Sequence, residues 1–188
     1  MYKIYVKGYA GNLGTRVLIE KKYDELSKRF SKDYLNDLVN TLDEILKDGE
    51  IPSLNLSNYN DTNIDVYDIE TIGKGGILTA LWKICERNKW GLKYSLRSIP
   101  ILQGTIEISN FFDINPYRLL TKNAFIIASD DEHNDSKYYP HILTYIGDIT
   151  NERKRVRIDG KVEAFLTKDY KDEIDKVLSN YTKTMGHG

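Results

Sequence analysis

Three glycines and a lysine, Gly73-Lys74-Gly75-Gly76, run straight into an apolar helical pattern in the stretch "TIGKGGILTALWKI" at 71–84. Backbone N–H groups at a glycine-rich helix start can hold a phosphate with help from the helix dipole, and Lys74 would add a positive charge. The same glycines also permit a tight strand-to-helix turn with no side chain in the way. The spacing lacks Gly-x-x-x-x-Gly-Lys-Ser/Thr, so this is not a P-loop. Phosphate cradle and bare turn both stay open at this level.

The remaining chemistry-bearing residues are dispersed. Asp68, Glu70 and Glu107 have the functional groups for acid–base work, which requires paired carboxylates in a shielded cleft, but nothing in their spacing makes them converge. "SDDEHND" (129–135) is acidic enough to suggest a metal loop. A calcium loop needs glycine at its sixth place and glutamate at its twelfth. Counting from Asp130 those places hold Asp135 and His141, and from Asp131 they hold Ser136 and Ile142. Neither register works, and a solvated acidic loop is expected, with no metal site. The one cysteine, Cys85, falls on the apolar side of its helical pattern and reads as a buried structural thiol. Asn115-Pro116-Tyr117 reads as a turn in which Asn caps a short helix.

These residues need elements to hold them. "YKIYVKGY" at 2–9 is β-favouring, and Gly14-Thr15 offers a helix start with Thr15 as its cap. Ile19, Tyr23, Leu26 and Phe30 then repeat at helical spacing, and Ser31 caps a second helix striped by Leu35, Leu38, Leu42 and Ile45. "IDVYDIE" (64–70) alternates like a half-buried strand, and "LKYSLRSIPI" is strand-like up to Pro100. "QGTIEISNFF" (103–112) is a short helix. "AFIIAS" (124–129) is apolar throughout, as a strand covered on both faces would be. "KRVRIDGKVEAF" is a hairpin turning at Asp159-Gly160, and a last helix carries Tyr170, Ile174, Val177 and Tyr181. Strands interleaved with helices plus an antiparallel hairpin imply an α+β layered fold with a mixed sheet. One domain is expected over 1–182, followed by a flexible tail at 183–188.

The bulk numbers remove several function classes. The 188-residue chain is long enough for one well-buried core, and with 40% hydrophobic and 29% charged residues it has the composition of a globular protein. A formal charge of −1 gives no field for drawing in nucleic acid. No run approaches the roughly 18 apolar residues of a membrane span. Met1 leads at once into strand-like sequence, so no signal peptide is expected, and a lone cysteine suits a reducing compartment; the expected location is the cytoplasm.

Residues 75–128, from "GGILTALWKI" through "IPILQGT", "EISNFF", "INPYRLL" and "AFIIA", together with "GYAGNLGT" at 8–15, resemble the carboxyl-terminal domain of the AIR synthase-related superfamily. That superfamily contains aminoimidazole ribonucleotide synthetase, selenophosphate synthetase and HypE-like hydrogenase-maturation proteins, and the HypE-like branch is the most similar. The resemblance covers about residues 2–166. It implies a three-layer α/β/α domain, partly ferredoxin-like, that in two-domain relatives closes a cleft over an amino-terminal domain holding magnesium and ATP. This chain matches the second domain only.

By that resemblance the residues facing the cleft are Glu70, Gln103, Thr105, Asn115, Lys122 and Asn123, with Gly73, Lys74, Gly75 and Gly76 as the phosphate or ligand loop. Gln103 and Thr105 match the family pattern. Glu70, Thr71 and Lys74 replace a His, an Asp and an acidic residue of many relatives, Leu102 and Gly104 replace an Arg and a Glu, and Thr121-Lys122-Asn123 replaces Ser-Ser-Gly. The terminal cysteine of HypE proper is absent, the chain ending Met185-Gly186-His187-Gly188. The expectation is a domain with no catalytic residues or cofactor of its own. It would act as a homo-oligomer or beside an amino-terminal AIR synthase-like partner, with ATP and Mg entering only through such a partner.

Overall fold

The computed structural model describes residues 2–47, 66–130, 143–168 and 171–184. Seven strands form one sheet: β1 (Lys3–Lys7), β2 (Val66–Thr71), β3 (Gly91–Tyr94), β4 (Phe125–Ser129), β5 (Thr144–Thr150), β6 (Arg155–Asp159) and β7 (Val162–Phe165). The helices are α1 (Asn12–Lys21), α2 (Tyr23–Leu26), α3 (Lys32–Lys47), α4 (Gly76–Asn88), α5 (Gln103–Phe111) and α6 (Ile174–Thr184). Short 3-10 turns lie at Leu96–Ser98 and Pro116–Arg118.

Strand order is β2-β4-β1-β5-β3-β6-β7. Every pair is antiparallel except β3–β6, so the sheet is mixed and the α+β class is as expected. β1, first in the chain, lies near the middle, paired to β4 from Lys3↔Ser129 to Lys7↔Phe125 and to β5 on its other side. β4 is buried at all five residues, which is why its sequence shows no polar alternation. The β6–β7 hairpin turns at Gly160, whose φ of 65° is the left-handed conformation glycine adopts most readily.

Two hydrophobic clusters hold these elements. In one, Ile77, Leu81, Ile84 and Cys85 of α4 pack with Ile4, Val6, Leu92, Ile126, Ala128 and Ile146 of the sheet. In the other, Leu18 and Ile19 of α1 meet Leu35, Leu38 and Leu42 of α3, Ile108 of α5 and Ile174 of α6. Spacings of three and four put the three α3 leucines on one stripe, and burying each contributes about 1.5–3 kcal/mol.

Local details differ from the sequence reading. The first helix begins at Asn12 rather than at Thr15, because Gly11 takes φ 74°, ψ 6° and turns the chain earlier. Its stripe is broken at Lys22, with α2 a separate turn. Ser31 does cap α3, accepting from the Tyr34 N–H at 3.2 Å. The strand after Gly91 ends at Tyr94, because Leu96–Ser98 coils into a 3-10 turn. α6 starts at Ile174 and continues through Thr184, so Lys183 and Thr184 finish the helix rather than begin a tail. Tyr170, most of the acidic stretch at 129–135 and residues 185–188 lie outside the described residues.

Candidate functional site

Two helices start in the same way and converge on one segment. α1 follows β1 through Gly11 (φ 74°, ψ 6°), and α4 follows β2 through Gly75 (φ 81°, ψ 5°). Each glycine is followed four residues later by a threonine whose hydroxyl donates to the glycine carbonyl: Thr15 to Gly11 at 2.8 Å, Thr79 to Gly75 at 2.9 Å. "GNLGT" and "GGILT" are thus the same local device. Both helix starts abut residues 117–124. Gly14 N–H donates to the Leu120 carbonyl at 2.8 Å, while Thr121 N–H donates to Gly73 and Ile72 N–H to Ala124. Gly76 is pressed so closely onto this segment that an added Cβ would lie 2.4 Å from the Tyr117 carbonyl oxygen.

The two starts differ in what meets their first amide. Gly11 N–H donates to Thr121 Oγ1 at 2.8 Å, and that hydroxyl in turn donates a hydrogen bond to the Leu119 carbonyl at 3.0 Å. Asn12, fully buried, clamps the same segment by pairing with both backbone groups of Lys122, accepting at 2.9 Å and donating at 2.7 Å. At the second start Gly75 N–H donates to the carboxylate of Asp172 at 2.7 Å. Asp172 is 2% exposed, and its other oxygen accepts from Leu120 N–H at 3.2 Å and Ile174 N–H at 3.1 Å. A carboxylate therefore already sits where the dipole of α4 favours an anion, and it caps α6 as well.

The two residues after Asp172 continue the pattern. Glu173, also 2% exposed, lies 3.7 Å from the guanidinium of Arg118 and 2.5 Å from Lys176 Nζ. Its N–H donates to the Arg118 carbonyl at 3.3 Å. Asp175 pairs with Lys74 at 3.4 Å, both side chains well exposed.

The candidate residues named from the sequence divide accordingly. Gly73, Gly75 and Gly76 form the turn itself. Asn115 caps the Pro116–Arg118 turn that Gly76 packs on, accepting from Tyr117 N–H at 3.0 Å. Thr105 is buried beside the other turn, its hydroxyl 3.1 Å from that of Thr15. Lys122 joins through its backbone. The others point elsewhere. Glu70 is committed to Arg87 at 2.7 Å on α4, and Asp68 holds the same guanidinium at 2.8 Å. These bonds, Glu70 first, push the Arg87 guanidinium further above its usual range. Gln103 donates to Glu107 at 2.9 Å on α5, and Asn123 donates to the Leu46 carbonyl at 2.8 Å. The Tyr34 hydroxyl donates to Glu107, and this bond, with that from Gln103, holds the Glu107 carboxyl below its usual value. Burial and the same carboxylate push the Tyr34 phenol upward.

A shallow groove of about 430 Å³ lies along the outer side of α4, lined by Glu70, Trp82, Lys83, Arg87 and Lys168 among others. Burial of Cys85 pushes its thiol up to about 12, against the pull of Arg155, which suits a packing residue better than a nucleophile. Among the described residues no group of three or more His, Cys, Asp or Glu is placed to hold a metal ion. No helix among them is long and apolar enough to cross a membrane. Asp172 and Asn12 were not singled out from the sequence. An Asp two residues before the helical stripe of "DEIDKVL" is a local sign of a cap, but its bond to Gly75 spans 97 positions.

No protein-family model matches the sequence, and no curated protein matches it. Solved structures do. E. coli HypE, a hydrogenase maturation protein, aligns over 91% of this chain and 51% of its own, with TM-score 0.62 and 15% identity. The fold is that of the AIR synthase-related proteins. A HypE solved in complex with ATP covers 89% of this chain and 50% of its own at TM-score 0.61 and 12% identity. Thiamine-monophosphate kinase from Stenotrophomonas maltophilia K279a covers 79% and 47% at TM-score 0.54 and 15% identity. The chain spans about half the length of the solved AIR synthase-like proteins it matches.

Proposed function

We propose that this chain is an AIR synthase-like domain that works by association, as a homo-oligomer or as an accessory subunit beside an amino-terminal AIR synthase-like partner, and that it performs no catalysis alone. The observation that carries this reading is Asp172. The amide of Gly75, which a phosphate at the glycine turn would need, is already bound to a buried carboxylate. A second carboxylate, Asp175, pairs with Lys74, the one cation of the turn. A phosphate at the turn would have to displace Asp172 from that amide. A net charge of −1 goes with a protein or small-molecule partner rather than nucleic acid or a membrane surface. The single buried cysteine suits the reducing cytoplasm.

Light scattering on the purified chain tests the reading. A mass above the monomer, or a shift to higher mass with an AIR synthase-like amino-terminal domain, is the expected result. A strict monomer that ignores such a partner and binds no apolar dye would count against it.

A second reading draws on the half-length coverage and on the HypE solved with ATP. Here the chain is one half of a split ATP-dependent enzyme of the hydrogenase-maturation type, completed by a separate Mg-ATP-binding domain. Mixing the two should give ATP-dependent turnover that Lys74→Ala reduces. A flat thermal shift with ATP and magnesium in the mixture would remove this reading and leave the first.

A further inference from the structure

We infer that β7 is an open edge through which two copies of this chain pair, strand against strand and antiparallel, about a two-fold axis at Ala164. The inference rests on the homo-oligomeric form of the first reading above and names the surface that carries it. β7 ends the sheet, with β6 as its one neighbour among the described strands. Leu166 N–H donates to the Arg155 carbonyl at 2.9 Å, one step beyond the Val156↔Phe165 pair. Hydrogen bonding alternates along an antiparallel pair, so Ala164 also turns its backbone groups toward β6, while Glu163 and Phe165 turn theirs away. An unpaired row of this kind is a template for another strand.

The side chains agree with the backbone. Leu166 is buried in the cluster under α4, so alternation puts Ala164 on that face of the sheet and Glu163 and Phe165 on the other. Phe165 is 70% exposed, more than any other large hydrophobic residue among those described, and it extends the row begun by Val156 across from it. Sheet edges are ordinarily guarded by bulges or charges. β2, at the opposite end, has a register shift between Val66 and Asp68, whereas β7 pairs with β6 without a break from Val162 to Phe165. The one charge on β7 is Glu163, which is exposed.

That single charge selects the register and admits a second copy as the occupant. A strand laid on β7 must set its own outward-facing residues against Glu163 and Phe165. β7 itself meets this demand. With Ala164 facing Ala164 of the second copy, Glu163 lies opposite Phe165 on both sides of the axis, and each such pair exchanges two hydrogen bonds. The small Ala164 side chains then occupy the close, non-hydrogen-bonded position between the strands. The two carboxylates sit diagonally rather than face to face, whereas a slip toward the turn would set Glu163 against Glu163, which like-charge repulsion disfavours. Such a contact uses the same patch on both subunits and closes at two copies. It is small, so a weak, concentration-dependent dimer is expected.

Sedimentation and light scattering of the full chain over a concentration series test the edge. The wild type is expected to approach twice the monomer mass as concentration rises. Glu163→Pro removes an outward amide and none of the β6–β7 bonds, since proline is tolerated on the free side of an edge strand. It is expected to weaken association roughly tenfold or more, because the lost hydrogen bond counts twice across the axis. Phe165→Glu keeps the backbone, sets carboxylate against carboxylate and is expected to abolish the dimer. Ala164→Cys is expected to give a disulfide-linked dimer under mild oxidation, because facing residues at that position lie about 4.5 Å apart at Cα. Cys85 is buried and gives the wild type no such product, and Lys83→Cys, exposed on α4, should give none either. Should Glu163→Pro not fold, the other two variants carry the test. An oligomer whose mass Glu163→Pro and Phe165→Glu leave unchanged overturns the edge and leaves the associative reading standing. A wild type that stays monomeric yet gains mass with an AIR synthase-like amino-terminal domain overturns the edge and keeps the accessory form of that reading, and one that stays monomeric with and without it overturns both.

Discussion

At Gly11 the first amide of the turn meets a hydroxyl, Thr121 Oγ1, at 2.8 Å; at Gly75 it meets a carboxylate, Asp172, at 2.7 Å. The glycine conformations agree within a few degrees of φ and ψ, and both carbonyls are tied by a threonine four residues on. The difference lies in where the acceptor comes from. Thr121 belongs to the segment that runs into β4, so it is fixed by the sheet. Asp172 belongs to the approach to α6, which the sheet does not hold. Matching geometry is thus closed by a neutral acceptor at one turn and by a buried charged one at the other.

Substitutions can break this comparison in graded steps. Gly76→Ala should do the most damage, about 3 kcal/mol or more, because φ is 67° and the new Cβ would strike the Tyr117 carbonyl. Chemical denaturation of the variant checks it. Gly14→Ala near the other turn carries no positive φ and would press first on the buried Leu119 side chain rather than on backbone, so it should cost less. Asp172→Ala leaves two amides of other elements without an acceptor and uncaps α6; about 2–4 kcal/mol is expected in urea melts. Thr121→Val removes a neutral hydroxyl that accepts from Gly11 and donates to Leu119, at about 1–2 kcal/mol, and a loss equal to that of Asp172→Ala would erase the difference between the neutral and the charged closure. Lys74→Ala, breaking an exposed pair, should change stability by under about 0.5 kcal/mol, so an effect on ATP-dependent turnover would be functional rather than structural.

A pH series sharpens the comparison from the α1–α3–α5 side, away from Asp172. Glu107 has its carboxyl lowered by Tyr34 and Gln103, so the stability it contributes is present above its unfolded value near ~4.3 and is lost as pH falls through the lower folded value. Tyr34 and Tyr145 have raised phenols, the latter pushed up to about 12 by burial and Asp148. Their contribution is complete below the unfolded value near ~10 and is lost as pH rises beyond it. Tyr34→Phe should flatten both limbs slightly, because it removes the bond that shifts each group. Denaturant midpoints across pH read this, and no change at either end would contradict the Tyr34–Glu107 bond.

What the sequence disclosed follows the range of the interactions. The Asp159-Gly160 hairpin, the all-apolar β4 and the leucine stripe of α3 are written in neighbouring residues, and each stands where local chemistry put it. Ser31 and Asn115 cap their helices as their types suggest. The start of α1 was misplaced because a threonine that looks like a cap is the fourth residue after a left-handed glycine, and its hydroxyl bonds backwards. The candidate turn was visible as glycines, but its occupant was not. Asp172 and Asn12 act across 97 and 110 positions, and no periodicity or turn rule reaches that far. Glu70 had the right type for a cleft acid, yet Arg87, seventeen residues on, already holds it.

The central position of β1 has a consequence for synthesis. Its two neighbours, β4 and β5, begin at Phe125 and Thr144, so during synthesis β1 waits for more than a hundred further residues before either flank can be paired. Pairings of that sequence separation fold slowly and leave an unprotected strand open to other nascent chains meanwhile. Holding "KIYVK" apart until Ser129, and for its second flank Thr150, has emerged is thus a task for any chaperone that meets this polypeptide.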